Sequence, residues 1–344
     1  MAIEIKATGK SVPSTRLTND DLAKRLATSD EWIRSHTGIE ARHIAGGETA
    51  CSDLALEAAW AALTMALGQE GCEAKSLEEI ALTLDIIIIG TATADYYGCP
   101  STACIIQDKL GARNAAAMDI AAGCSGFIYG LETAAGLLSI GASRKRALVI
   151  GADVLSRFVD WDDRGSCILF GDGAGAVLIE KTGNLSTGPD KRGLLRTILR
   201  ADGSGSEHLV IKRGGSRNAF KPGETIETIP HLEMNGRAVY NFAVKAVTEI
   251  IEGLLKEERI TIDAVSRIVP HQANARIVAA AAKRLGIPEG KFFLNIKEYA
   301  NTSAASIPIA LDELNRTGEL HKGDLIMTVG FGAGLTYGGN LIVF

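Results

Sequence analysis

Three side chains of types suited to nucleophilic chemistry, Cys124, His271 and Asn301, lie beside predicted helix N-termini. Cys124 follows a predicted strand over 116–120 and begins a predicted helix over 125–140. Unpaired backbone N–H groups and the helix dipole at such a turn favour negative charge. We therefore expect a lowered pKa for the thiol and a nucleophilic cysteine. A buried structural side chain is the usual alternative for a single cysteine.

His271 and Asn301 occupy comparable corners of the second half of the chain. His271 follows a predicted strand over 268–270 and precedes a helix over 273–285, and Asn301 precedes a helix over 303–315. A core histidine and an N-capping asparagine are the structural alternatives. Because strand C-termini and helix N-termini meet at the ligand-binding edge of an open sheet, we expect both to approach Cys124. The glycine-rich run 330–334 could add a backbone N–H to an oxyanion hole.

The elements that must position these residues recur along the chain. Predicted strands end at Gly90 and Gly151, 61 residues apart, and at Pro270 and Gly330, 60 residues apart. The same order of strands and helices lies between each pair, which predicts an internal duplication. Alternating strands and helices predict an α/β fold with parallel sheets, and two such halves would pack as five layers, α/β/α/β/α.

The turn-rich run 183–190 predicts the division between the halves. The N-terminal half, 1–185, would carry the cysteine, and the C-terminal half, 186–344, would carry the histidine and the asparagine. We also expect 116–120 to be a buried strand, 292–294 to be a strand, and 69–79 to be a polar surface insertion.

Composition and charge exclude several classes of function. The net charge is −5, which argues against nucleic acid as the main partner. The six cysteines form no C-x-x-C pair and have no zinc-site spacing, so we expect no metal and reduced thiols in a cytoplasm. The densest apolar run, 86–89, is far too short to span a membrane. The glycines of 171–175 precede a predicted strand, whereas a dinucleotide fingerprint follows one.

Several motifs together resemble β-ketoacyl-ACP synthase III, a family of thiolase-fold condensing enzymes that initiates bacterial type II fatty acid synthesis. The shared runs are 28–33, 37–39, 122–127, 163–165, 170–175, 270–274, 301–306 and 330–332. They occur in the family's order and at about its spacing, over nearly the whole chain.

The resemblance implies a decarboxylating Claisen condensation. The Cys124 thiolate would take an acyl group from acyl-CoA, and His271 and Asn301 would then donate hydrogen bonds to the thioester oxygen of malonyl-ACP. Loss of CO2 would leave a carbanion that attacks the acyl-cysteine and gives 3-oxoacyl-ACP. The backbone N–H groups of Cys124 and Gly332 would form the oxyanion hole, and Phe331 would act as a gate. The chemistry implies no metal and no redox cofactor.

The resemblance also implies binding residues and a homodimer. It assigns Trp32 and Arg164 to the CoA adenine, and Thr28, Gly165 and Asn274 to the pantetheine tunnel. The cations Arg276, Lys283 and Arg284 share one face of a predicted helix and would dock the acidic carrier protein, although a solvated charged face is the alternative for each of them alone.

The chain departs from the family pattern at two positions. His36 stands where the family usually has an arginine that contacts CoA phosphate, which makes that contact weaker or dependent on pH. Cys99 stands where the dimer partner of short-chain members supplies a bulky phenylalanine to the acyl channel. The smaller side chain predicts a roomier channel and primers longer than acetyl.

Other functions fit less well. A biosynthetic thiolase uses a second cysteine in its C-terminal half, and here no cysteine lies beyond Cys167. Hydroxymethylglutaryl-CoA synthase needs a glutamate in place of the His–Asn pair. A non-catalytic acyl-CoA or carrier-protein binding module would not need the three polar residues, and a scaffold protein is remoter still. A relative of specialised metabolism that condenses longer or unusual acyl groups stays open, because it would keep all three.

Overall fold

A computed structural model describes residues 2–69, 72–183, 192–226 and 229–344. The strands, in chain order, are β1 (Ala2–Ser11), β2 (Arg16–Thr18), β3 (Ala41–His43), β4 (Ile86–Gly90), β5 (Ala116–Ile120), β6 (Arg146–Asp153), β7 (Gly173–Thr182), β8 (Gly193–Ala201), β9 (Leu209–Ile211), β10 (Leu232–Met234), β11 (Arg267–Pro270), β12 (Leu325–Gly332) and β13 (Thr336–Val343). The helices are α1 (Asn19–Ala23), α2 (Asp30–Thr37), α3 (Cys51–Leu67), α4 (Leu77–Leu82), α5 (Thr102–Lys109), α6 (Gly126–Ile140), α7 (Arg164–Cys167), α8 (Gly236–Glu258), α9 (Ala275–Leu285), α10 (Ile296–Tyr299) and α11 (Ser306–Arg316).

Two mixed sheets repeat one strand order, which confirms the internal duplication. The first sheet has the order β1-β7-β6-β4-β5, and the second has β8-β13-β12-β11. A parallel bridge between Ile268 and Phe292 stands where a fifth strand of the second sheet would lie. The expectation of purely parallel sheets was wrong, because β7 and β13 run antiparallel to both of their neighbours. Strand β7 pairs with the edge strand β1, and β13 pairs with the edge strand β8.

Three apolar cores lie among five layers, one beneath each outer layer of helices and one around the central helices. Helices α3 and α5 pack on the outer face of the first sheet, and α8 and α9 pack on the outer face of the second. Helices α6 and α11 fill the space between the sheets and contact both. Burial of these three cores supplies the main driving force for folding. The structure therefore confirms the α/β/α/β/α arrangement.

A row of glycines in the first sheet lets the central helices approach the strands. Gly90, Gly151 and Gly175 lie side by side on β4, β6 and β7. A Cβ at Gly90 would collide with the backbone of Gly126, and a Cβ at Gly151 would collide with the carbonyl of Ala304. The starts of α6 and of the segment before α11 are thereby held at the same level of the sheet.

Several expectations about single elements were wrong. Residues 292–294 form only the bridge at Phe292, because the chain there passes from a 3-10 turn at Glu289–Lys291 towards α10. Strand β5 is half-exposed, since it is the edge strand of its sheet. By contrast, the described residues of the polar run 69–79 lie at or near the surface, as expected, and include the start of α4, capped by Ser76, while residues 70–71 lie outside the described residues.

The predicted division at 183–190 lies almost wholly outside the described residues. Within the described ranges, no helix is both long enough and apolar enough to cross a membrane. The same ranges hold no cluster of three or more side chains arranged to bind a metal ion.

Candidate active site

Cys124 lies in a 3-10 turn, Gly123–Ser125, that leads directly into α6. Gly123 has a φ of 51°, a conformation that glycine adopts without steric cost. Gly332, at the end of β12, packs against this turn, and a Cβ there would collide with the backbone nitrogen of Cys124 and lie 3.1 Å from its Cα. The structure thus brings the backbones of Cys124 and Gly332 together, as an oxyanion hole requires.

The thiol of Cys124 does not have the lowered pKa that its position on the turn predicts. Burial raises the pKa of Cys124 to about 12, and the charge of Asp153 acts in the same direction. The hydroxyl of Ser303, which donates to Sγ of Cys124 at 3.3 Å, opposes this shift only in part. Cys124 as a residue is only 9% exposed, so loss of solvation outweighs the favourable helix terminus. The side chain of Cys124 is therefore a thiol at neutral pH.

His271 follows β11 and is almost fully buried, with 2% of its surface exposed. Burial lowers the pKa of His271 to about 3, so the ring is neutral at neutral pH. Nδ1 lies 2.7 Å from Oγ of Ser306, and that oxygen accepts from the backbone N–H of Gln272 at 3.4 Å. When the Ser306 hydroxyl donates to Nδ1, the proton of the neutral ring is on Nε2.

Asn301 lies in a turn that crosses over to the first half of the chain. Its backbone N–H donates to Leu169 at 2.9 Å, and its carbonyl accepts from Gly171 at 3.0 Å. The side-chain oxygen accepts the N–H of Ser303 at 2.8 Å, so the amide NH2 is the end left to donate to a ligand. Asn301 is not the N-cap of α11, whose N-cap is Ala305.

One cavity of about 290 Å³ joins the three candidate catalytic residues. Cys124, His271 and Asn301 line it together with Phe331 and Gly332. The rings of Phe331 and His271 meet edge to face with their centroids 5.3 Å apart. Apolar side chains of the second half complete the wall: Leu209, Met234, Val239, Tyr240, Phe242, Ile277 and Leu335.

The outer part of the cavity carries most of the residues expected to bind CoA. Trp32, Gly165 and Asn274 line it, as does His36. The imidazole of His36 stacks on Trp32 with ring centroids 4.3 Å apart. The guanidinium of Arg164 lies 4.6 Å from the centroid of Trp32, although Arg164 does not line the cavity itself.

Thr28 and Asn274 differ in their contacts. The hydroxyl of Thr28 is buried and has no hydrogen-bond partner among the described residues, and Thr28 does not line the cavity. Asn274 caps α9 through the N–H of Arg276 at 2.9 Å and donates to the carbonyl of His36 at 3.1 Å.

The three cations of α9 are exposed, and Arg276 lies at the rim of the cavity. Within the described parts of the chain, Arg276, Lys283 and Arg284 take part in no ion pair. Cys99 is exposed and lies outside the cavity of its own chain.

Comparison with known proteins places the chain in a family. The model for 3-oxoacyl-[acyl-carrier-protein] synthase III matches residues 118–203, and the model for the C-terminal part of these proteins matches residues 255–344. The β-ketoacyl-[acyl-carrier-protein] synthase III of Syntrophomonas wolfei is 46% identical over 344 residues, covering 99% of this chain and 97% of that protein. The chain belongs to the β-ketoacyl-[acyl-carrier-protein] synthase III family.

Solved structures agree with this membership. The crystal structure of 3-oxoacyl-[acyl-carrier-protein] synthase III from Aquifex aeolicus is 41% identical, with a TM-score of 0.85, and the match covers 99% of this chain and 100% of that one. The synthase III from Clostridium perfringens strain SM101 is 47% identical over 97% of both chains. The chain is therefore a condensing acyltransferase with the thiolase fold, and synthase III relatives at this level of identity favour initiation of fatty acid synthesis over specialised metabolism.

Four polar residues of this synthase III site received no role from the sequence. Ser303 and Ser306 lie in the motif 301–306, and Gln272 lies in the motif 270–274, but each is also typical of a polar residue in a turn. The amide of Gln272 donates to the carbonyls of Pro270 and Phe293 at 2.8 and 3.2 Å. Asp153 offered one signal, an acidic residue at the end of a buried strand, where an unpaired charge is costly.

Proposed function

We propose that this chain condenses an acyl-CoA primer with malonyl-ACP, with loss of CO2, to give 3-oxoacyl-ACP and so initiate fatty acid synthesis. The observation that carries the proposal is that Cys124, His271 and Asn301 line one cavity. In this proposal the Ser306 hydroxyl donates to Nδ1 of the neutral His271 ring, so that Nε2 carries the proton, and the Asn301 oxygen already accepts the N–H of Ser303, so that its NH2 group is left to donate. Membership of the family supports the same reaction.

In the first step, Sγ of Cys124 attacks the thioester carbonyl of acyl-CoA. The C–S bond to CoA breaks, CoA leaves as its thiol with the cysteine proton, and an acyl-cysteine remains. Because burial keeps the resting sulfur protonated, proton loss accompanies attack. The backbone N–H groups of Cys124 and Gly332 hold the oxyanion that develops on the acyl carbonyl.

In the second step, His271 and Asn301 donate hydrogen bonds to the thioester oxygen of malonyl-ACP. The bond to the carboxylate breaks, CO2 leaves, and its electron pair passes into the enolate that these two donors stabilise. The enolate carbon attacks the acyl-cysteine carbonyl, the tetrahedral adduct collapses, and Cys124 leaves as a thiolate that is then reprotonated. Phe331, packed on the His271 ring, gates this part of the cavity and keeps it dry.

The outer cavity binds CoA in this proposal. Trp32 and Arg164 hold the adenine, and the packing of the Arg164 guanidinium on Trp32 at 4.6 Å supports this assignment, because both groups pack well against a flat ring. Gly165 and Asn274, which line the cavity, contact the pantetheine arm. Thr28 does not line the cavity and is assigned to the same arm by the family resemblance alone. No metal and no redox cofactor takes part, since the departing CO2 supplies the electron pair.

The carrier protein docks on the exposed cations of α9, Arg276, Lys283 and Arg284. Arg276 at the cavity rim places the docking face next to the entrance, and an acidic carrier protein complements these charges.

We extend the proposal to a cytoplasmic homodimer. In each subunit the two halves of the chain are residues 1–185 and 186–344. Support for the dimer comes from the half-exposed edge strand β5 and from Tyr97, which is 73% exposed. Cys99 lies outside its own cavity, and in the dimer it would reach the acyl channel of the partner subunit. Its small size then admits primers longer than acetyl.

Intact-mass spectrometry tests the proposal. The protein is incubated with acetyl-, isobutyryl-, octanoyl- and lauroyl-CoA, and Cys124→Ala serves as the control. We expect an acyl adduct that the variant lacks, and 3-oxoacyl-ACP when malonyl-ACP is added. Absence of any adduct on Cys124 would overturn the mechanism.

A further inference from the structure

Asp153, the last residue of β6, is a fully buried carboxylate that the reaction above does not use. The ion pairs among the described residues do not include it. A buried charge is costly unless donors satisfy it, so its partners indicate what it does.

The carboxylate joins two loops from opposite halves of the chain. Oδ1 accepts from the hydroxyl of Thr91 at 3.0 Å, the backbone N–H of Ala92 at 2.8 Å and the hydroxyl of Thr93 at 2.9 Å. Oδ2 accepts from the backbone N–H of Ala304 at 3.2 Å. The first three donors follow β4, and the fourth belongs to the turn 301–304.

This turn carries two groups of the reaction centre in a strained backbone. Ser303 has a φ of 53° and Ala300 a φ of 55°, a region that side-chain-bearing residues rarely adopt. Strain of this kind persists only where surrounding contacts hold it. The Ser303 N–H binds the Asn301 side chain, and the Ser303 hydroxyl binds Sγ of Cys124 at 3.3 Å. Asn301, at the start of the turn, is held by backbone bonds to Leu169 and Gly171, and the bond from Ala304 to Asp153 fixes the other end of the turn to β6.

We propose that Asp153 is a positioning residue, which holds the turn 301–304 so that the Ser303 hydroxyl donates to the nucleophile and the Asn301 amide faces the cavity. Two acceptor oxygens are required at this position, because the hydroxyls and N–H groups directed at them are donors. Burial raises the pKa of Asp153, and these donors together with the Ser303 hydroxyl oppose that rise. The amide of an asparagine would turn an NH2 group towards one of them. The glycine at 151 contributes to the same arrangement, since it lets the turn lie directly on the strand that ends at Asp153.

The test uses alkylation of Cys124 by iodoacetamide, followed by intact mass, in a double-mutant cycle. Ser303→Ala removes a donor to the sulfur and is expected to slow alkylation about ten-fold in the wild-type background, the effect of one hydrogen bond to a charged atom. In the Asp153→Asn background the same change is expected to slow alkylation less than about two-fold, because the hydroxyl is no longer held on the sulfur.

Asp172→Asn is the matched control. Asp172 is also a fully buried carboxylate, and it accepts from the N–H of Ala45 at 2.7 Å and from the N–H and hydroxyl of Ser156 at 2.9 and 2.6 Å. None of these bonds reaches the turn 301–304. In this background Ser303→Ala is expected to keep its full effect. Asp153→Ser repeats the cycle with a smaller side chain should the asparagine variant not fold.

The proposal would be overturned if Ser303→Ala slowed alkylation equally in the wild-type, Asp153→Asn and Asp172→Asn backgrounds. As a second readout, Asp153→Asn is expected to lower kcat for condensation about 100-fold, while KM for acyl-CoA changes less than about two-fold. That readout rests on the proposed function. The alkylation cycle needs no substrate, so either proposal can fail while the other stands.

Discussion

Nδ1 of His271 lies 2.7 Å from Oγ of Ser306, the first residue of α11. The pair joins the end of β11 to the helix between the two sheets. With the Ser306 hydroxyl as donor to Nδ1, the neutral imidazole keeps its proton on Nε2 and can donate a hydrogen bond to a substrate in the cavity that His271 lines.

Ser306→Ala therefore should impair the step that depends on His271. Without the hydroxyl the proton is free to occupy Nδ1, and the ring then presents an acceptor to the substrate. We expect decarboxylation of malonyl-ACP to slow about ten-fold, the contribution of one hydrogen bond. Acylation of Cys124 by acyl-CoA, measured by intact mass, is the internal control and should be unchanged. Equal loss in both steps would contradict this role.

The buried His271 ring predicts a characteristic pH dependence. Its pKa is about 3 in the folded chain and 6.5 in a model peptide, so below 6.5 the unfolded chain binds a proton that the folded chain does not. Stability from this group is present above pH 6.5 and is lost as the pH falls towards 3. At about pH 5 the loss is about 2 kcal/mol. Urea unfolding at about pH 7 and pH 5 should show this loss, and His271→Asn should reduce it.

The same shift predicts the pH profile of decarboxylation. Because the ring stays neutral, the rate of malonyl-ACP decarboxylation should show no histidine inflection between about pH 5.5 and 8. An inflection near pH 6.5 that His271→Asn abolishes would show that the ring titrates during the reaction.

Gly332→Ala should distort the turn that carries Cys124. The added Cβ would collide with the nitrogen of Cys124, and both partners are backbone atoms with little room to move. We expect a loss of about 1–3 kcal/mol in the free energy of unfolding and a much lower rate of Cys124 acylation. Gly136→Ala, in α6, is the matched control, because a Cβ there meets nothing within 4 Å and should raise stability slightly. Both effects are measured by thermal unfolding and intact mass.

Arg164→Ala should weaken acyl-CoA binding without slowing the chemistry. The cation lies over Trp32 at 4.6 Å, and loss of such a contact is expected to raise KM for acyl-CoA about three- to thirty-fold with kcat unchanged. Arg25 forms a similar pair with Trp161 at 4.8 Å, and neither lines the cavity. Arg25→Ala is therefore the control and should leave KM unchanged. An equal rise in KM for both variants would argue against a role of Arg164 in binding.

The sequence by itself determined the order of elements and the corners that carry the chemistry. Patterns of apolar residues and glycine stops placed β4, β6 and α6, and the near-equal strand intervals predicted the duplication. These features depend on residues that are close together in the sequence, so short stretches of sequence are enough to predict them. The motifs around Cys124, His271 and Asn301 were specific enough to indicate the family, which the similar proteins then confirmed.

Only the tertiary structure decided the electrostatics and the supporting contacts. The helix terminus at Cys124 favours a thiolate, but the depth of the site reverses the pKa shift, and depth is a property of the packed layers. The bonds of Ser303 to Cys124 and of Asp153 to Ala304 join residues 179 and 151 positions apart. No local pattern encodes such contacts, because they form only when the two halves of the chain pack against each other.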